Sequence, residues 1–208
     1  MKQFAMSETQ KFGHVTYFWN GNRTGKFNDD LEEYVEITSD ILPFEQRPWM
    51  KAAEITDRLI KEINSGKWDF IRINFANGDM VGHTGVYQAA EIAVETVDLC
   101  LSRILPVIVK NKGIAIITAD HGNADEMFEL DKSGAAKINK ASGEPKAKTA
   151  HTLNPVPVYI FDPMYSGEYV INDSIVKPGL TNITGMCANL LGFNKPDFYD
   201  ESLIKFVK

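Results

Sequence analysis

Residues Gly113–Thr118 read Gly-Ile-Ala-Ile-Ile-Thr, a continuously apolar run followed, after Ala119, by Asp120–His121–Gly122. A half-exposed strand alternates apolar and polar residues, whereas an unbroken short run suits a strand covered on both faces, as in a parallel sheet between helices. Other segments fit that frame. His14–Trp19 and Trp68–Phe75 are β-branched and aromatic and stop at Asn-Gly pairs, and Pro155–Phe161 reads as a strand with both prolines near its start. Helices are predicted from Pro48 to Ser65, from Gly85 to Lys110 with an interruption at Pro106, and from Thr181, as cap, to Leu191. The polar stretch Glu129–Lys148 reads as a mobile surface loop. Strands alternating with helices, without a repeat or a dividing linker, predict an α/β fold: a largely parallel sheet with helices on both faces.

Composition narrows the function classes. A chain of 208 residues that is 44% hydrophobic can build a real core. Net charge is −6, with Lys and Arg scattered among carboxylates, so neither nucleic acid nor an anionic membrane is an expected partner. No apolar run approaches the length of a membrane span, and Met1–Ala5 has no signal-like apolar region. Cys100 and Cys187 lie far apart without metal-type spacing, as expected of reduced thiols in a cytoplasmic protein.

The chemistry gathers at predicted strand ends. Asp79 and His83 are spaced D-x-x-x-H after one strand, Asp120 and His121 are adjacent after another, and His151 lies just before a third. Ligands of open α/β sheets bind at the crevice beside strand ends. Mixed carboxylate and imidazole donors suit Mn²⁺ or Zn²⁺ better than Ca²⁺. If the chain coils after its strand, a four-residue spacing puts Asp79 and His83 on one face, and Gly78 and Gly82 let the backbone approach a ligand. Taken singly, each group has an ordinary reading: a helix-surface pair, a loop hydrogen bond, a surface histidine. Convergence at one edge is what favours a site. His14, which opens a predicted strand without a nearby carboxylate, is read as structural.

Four stretches together resemble one family: SETQKFGHVTYFWNGN (Ser7–Asn22), INFANGDMVGHTG (Ile73–Gly85), ITADHGNADEM (Ile117–Met127) and KTAHTLNPVPVYIF (Lys148–Phe161). They are similar, in order, to the C-terminal part of cofactor-independent phosphoglycerate mutases, members of the alkaline phosphatase superfamily. The resemblance implies two Mn²⁺ ions, or Mg²⁺ or Co²⁺, and no requirement for 2,3-bisphosphoglycerate. Asp79, His83 and His151 would hold one ion, Asp120 and His121 the second, and Lys11 would touch the transferred phosphoryl group. It also implies interconversion of 3-phosphoglycerate and 2-phosphoglycerate through a phosphoserine.

Members of that family are more than twice as long as this chain. Their second metal is completed by an Asp and the nucleophilic Ser of an N-terminal stretch, and an inserted domain grips the substrate. Residues 1–208 are therefore expected to be the C-terminal portion of the phosphatase-like domain, with strands of the parent sheet missing and no activity alone. The intact enzyme is expected to be monomeric, and surface left uncovered is expected to promote self-association of the shorter chain. Related phosphatases, phosphopentomutases and a non-enzymatic remnant remain as alternatives, because D-x-x-x-H and Asp-His-Gly recur across the superfamily.

Overall fold

A computed structural model describes residues 1–207, which form two compact units that divide between Phe161 and Asp162. The first is built on three parallel strands, β1 (Gln3–Glu8), β2 (Glu32–Ile37) and β3 (Phe70–Asn74), in the order β2-β1-β3. Successive side chains of the central β1 face opposite sides. Phe4 and Met6 point to a core formed with Ile55, Leu59 and Ile104 of helices α2 (Ala52–Asn64) and α4 (Tyr87–Lys110). Helix α1 (Thr9–Val15) also packs on the sheet. The buried Arg72 of β3 donates from Nε to the Val15 carbonyl at 2.8 Å and from Nη1 to Gln3 Oε1 at 2.9 Å. The expected α/β architecture is present, with a small parallel sheet flanked by helices.

Several local readings change. The segment predicted as a strand from His14 instead finishes α1 and turns, leaving Tyr17, Phe18 and Trp19 exposed. β1 has already supplied the strand, and the chain folds back onto the sheet. Helix α2 begins at Ala52 rather than Pro48, because Met50 takes a left-handed φ of 44° that no helix accommodates. Helix α4 runs through Pro106 to Lys110. Helix α5 (Thr181–Leu190) starts after Leu180, and Thr181 does not cap it; Gly192 lies just beyond with a φ of 83°.

The apolar run after Gly113 yields β4 (Ala115–Thr118), but it pairs antiparallel with β5 (Val158–Phe161), and Thr118 is exposed. The chain's own residues cover only part of the surface that the run's composition anticipates. The stretch Glu129–Lys148 is not irregular. Antiparallel bridges join Phe128 to Ala147, Leu130 to Ala136 and Ile138 to Pro145, and Lys137 and Lys146 both pair with Glu129.

The second unit pairs β6 (Tyr169–Ile171) antiparallel with β7 (Ile204–Phe206) and contains α5. Burial, then a hydrogen bond from its hydroxyl to Asp162 Oδ2 at 2.9 Å, pushes the Tyr169 phenol up to about 12. Among the described residues no helix is long and apolar enough to cross a membrane.

Glu8 closes β1 almost completely buried, accepting hydrogen bonds from Ser39 Oγ at 2.8 Å and the Lys51 N–H at 3.1 Å. Burial raises its carboxyl above the ordinary 4.5, and these hydrogen bonds only partly offset the rise. The native state therefore holds the Glu8 proton to higher pH than the unfolded chain does. Stability from this group is fully present below 4.5 and is lost as pH rises through the folded value. Chemical denaturation of the wild-type chain and Glu8→Gln from pH 4 to 8 should show the wild type losing stability relative to the variant as pH rises. A difference that does not vary with pH would contradict this assignment.

Candidate metal centre

Helix α3 (Asn77–Gly82) begins two residues after β3 and sits on a small-residue face of α4, where Val81 packs with Ala89, Ala90 and Ala93. Asn77 anchors its first turn by donating from Nδ2 to the Pro48 carbonyl at 2.9 Å. This short helix realises the D-x-x-x-H spacing. Asp79 lies in its first turn and His83 at its C-cap, with the His83 N–H donating to the Asp79 carbonyl at 3.0 Å. His83 Nε2 is 3.0 Å from Asp79 Oδ1.

The antiparallel pairing of β4 and β5 brings in the other histidines. Beyond the strands it continues as a bridge between Gly122 and Thr152, the Thr152 N–H donating to the Gly122 carbonyl at 2.8 Å. Gly122 is required there: a Cβ would lie 2.6 Å from Asp125 Oδ1 and closer still to Thr152 Oγ1. The flanking His121 and His151 consequently stack, with ring centroids 3.6 Å apart. His151 Nε2 lies 3.0 Å from Asp79 Oδ1 and 3.1 Å from His83 Nε2.

Tautomers decide what this triangle can do. His83 Nδ1 is 2.6 Å from the Thr149 carbonyl, which only accepts, so Nδ1 carries the hydrogen. In the neutral ring Nε2 is then a lone pair aimed at a carboxylate oxygen and at a second imidazole nitrogen. The carboxylate oxygen and this lone pair repel one another unless a proton, which His151 Nε2 could supply, or a cation lies between them. A hard carboxylate with two imidazoles, one oriented by a backbone carbonyl, is a donor set for a divalent transition metal, so the residues fit such an ion. Asp79, His83 and His151 are the three whose donor atoms converge.

Charge is arranged around Asp79. Lys11, buried in α1, puts Nζ 2.6 Å from Asp79 Oδ2, while Asn123 Nδ2 donates to Oδ1 at 2.9 Å. Burial works to raise the Asp79 carboxyl, but the Lys11 and Asn123 hydrogen bonds and the charges of Lys11 and His83 outweigh it and lower it to about 2. Asp79 is thus ionised at any ordinary pH, ready to ligate.

Asp120 and His121 lie beside this triangle without completing a second. His121 Nε2 is 3.9 Å from Asp79 Oδ1 and 3.6 Å from Asp120 Oδ2, and the Asp120 side chain is about half exposed. His14 stands on α1 one turn beyond Lys11. Burial, then Lys11, lowers its pKa against the opposing pull of Asp120 and Asp79, so its surroundings include the site's charges. Sequence reasoning also missed the Thr149 carbonyl, which no side-chain pattern reveals, and Asn123, whose one signal is its place directly after Asp-His-Gly.

The chain is similar to known proteins along nearly its whole length. The chain is 50% identical over 98% of its length to a Leptospira interrogans protein named "Probable 2,3-bisphosphoglycerate-independent phosphoglycerate mutase", covering 36% of that protein. It is 48% identical over 97% of its length to a Trypanosoma brucei brucei 2,3-bisphosphoglycerate-independent phosphoglycerate mutase, again covering 36%. The crystal structure of Leishmania mexicana phosphoglycerate mutase at low cobalt concentration superposes with a TM-score of 0.96 at 43% identity, over 100% of this chain and 38% of that one. The chain therefore spans little more than a third of the relatives it matches. A family model described as Metalloenzyme superfamily matches residues 1–195, and with donors converging as such chemistry requires, the chain belongs to the Metalloenzyme superfamily.

Proposed function

We propose that residues 1–208 are the C-terminal, metal-holding portion of the phosphatase-like domain of a 2,3-bisphosphoglycerate-independent phosphoglycerate mutase. The complete protein is proposed to be a cytoplasmic, monomeric isomerase of glycolysis that interconverts 3-phosphoglycerate and 2-phosphoglycerate through a phosphoserine. One observation carries the reading: Asp79, His83 and His151 bring three potential ligand atoms to one point, beside His121. In this proposal they hold one Mn²⁺, and Asp120 and His121 contribute to a second ion whose remaining ligands come from outside this chain. When bound, the ions supply charge for the transferred phosphoryl group and lower the pKa of the attacking hydroxyl.

The chain's own residues do the holding and orienting. The Thr149 carbonyl fixes the His83 tautomer and leaves Nε2 free to ligate. Lys11, paired with Asp79, stands at the same place and is proposed to meet a phosphoryl oxygen. Asp79 stays charged without help from a base.

A chimera tests the reading. Residues 1–208 are exchanged for the matching part of the Trypanosoma brucei brucei enzyme, and turnover of 3-phosphoglycerate is followed by a coupled assay. The chimera should turn over, His151→Ala should lower the rate more than about 100-fold, beyond what changes to supporting residues usually cause, and the chain alone should be inactive. A folded chimera without turnover, a His151→Ala chimera of normal activity, or turnover by the isolated chain would each overturn it.

A further inference from the structure

We propose that Asn123 is a positioning residue that clasps the Asp79–His83 turn to the Asp120–His121 loop and fixes which oxygen Asp79 offers to a metal. The inference rests on the metal-holding role proposed above and assigns a task to a residue with no ligating part in it.

Asn123 is 4% exposed and follows His121 by two residues. Its Nδ2 donates twice, to Asp79 Oδ1 at 2.9 Å and to the Asp79 carbonyl at 3.2 Å. Both partners are acceptors only, so the amide can face them solely through its NH₂ group. Its Oδ1 is thereby turned onto Gly82, buried and without a hydrogen-bond partner among the described residues. A buried amide oxygen left unpaired is costly. That this orientation is kept indicates what it secures.

It secures a division of labour between the two Asp79 oxygens. Oδ2 is taken by Lys11 at 2.6 Å, and Oδ1 is held by Asn123 while facing both His83 and His151 at 3.0 Å. Asp79 is thus set to ligate through one oxygen. The approach that allows this is too close for any side chain at position 82, where a Cβ would lie 2.8 Å from Asn123 Cγ and 3.4 Å from the Ala124 nitrogen. Gly82 and Asn123 act as a pair: the missing side chain on α3 is the space that the amide fills.

The test uses the full chain with Mn²⁺, titrated calorimetrically, and with Co²⁺, whose visible spectrum reports coordination. Asn123→Leu keeps the volume and removes the donor. It should fold by circular dichroism, bind Mn²⁺ about 10- to 100-fold more weakly, as loss of a supporting hydrogen bond does at other metal sites, and shift the Co²⁺ spectrum. Leu59→Ala, a cavity in the core beneath the sheet, should lower thermal stability and move neither readout. A folded Asn123→Leu chain with wild-type affinity and spectrum overturns the proposal and leaves the metal reading standing. A folded wild type that binds neither ion overturns both. If Asn123→Leu does not fold, Gly82→Ala decides, since it displaces the amide without removing it: weaker binding supports the clasp and unchanged binding overturns it.

Discussion

Replacing Asp79 by alanine should abolish Mn²⁺ binding and also destabilise the metal-free chain by about 3 kcal/mol, the scale seen when one partner of a buried ion pair is removed. The second effect follows from Lys11, whose side chain is 6% exposed and whose ammonium rests on Asp79 Oδ2. Without Asp79 that charge stays buried and unpaired, and the Asn123 amide loses its partner as well. Adding Lys11→Met to Asp79→Ala should restore much of the stability, since an apolar pair of similar bulk need not be worse than the ion pair it replaces. It should restore no metal affinity. Urea denaturation of the three chains, with a Mn²⁺ titration of each, separates the two consequences. An Asp79→Ala chain as stable as the wild type would show that the pair carries no structural load.

A comparable loss, felt in a different place, is expected of Phe4→Ala. Phe4 is fully buried at the centre of β1, its ring 5.4 Å from that of Trp68 and packed with Met6, Ile55, Leu59 and Ile104. Truncating a buried phenylalanine costs about 3–5 kcal/mol through lost burial and the cavity left behind. For a chain of this length, 4 kcal/mol corresponds to a drop in melting temperature of roughly 8–16 °C. The cluster it packs in contains none of the metal ligands, so Mn²⁺ affinity of the folded variant should be preserved. A melting temperature within about 2 °C of the wild type would contradict the assignment of this core, because the same scale makes that less than about 1 kcal/mol.

The sequence discloses the site better than it discloses the sheet. Asp79, His83 and His151 can be picked out because chemistry-bearing residues stood at strand ends, and the helix after β3 gave the four-residue spacing its meaning. β1 was missed although it is the central strand. Ser7 and Glu8 are polar, yet both are buried, satisfied by partners remote in sequence: Asn74 for Ser7, and Ser39 and Lys51 for Glu8. β2 was missed for a related reason. Glu32, Glu33 and Glu36 disguise a strand whose carboxylates find Tyr34, Arg58, Lys67 and Thr9 only in the fold. β4 was recognised but expected within a largely parallel sheet. Its pairing with β5 depends on a connection of about forty residues, and no local pattern reports strand direction. Asn123 stayed hidden because its role is a distance to Asp79, 44 residues away in sequence.

The central claim is that three potential ligand atoms converge on one point to hold one divalent ion, and calorimetric titration of the metal-free chain with Mn²⁺ tests it most directly. The account predicts one high-affinity ion per chain, lost in Asp79→Ala and weakened as pH falls and protons compete for His83 and His151. No binding by a chain shown to be folded would contradict it, as would binding that survives the loss of Asp79.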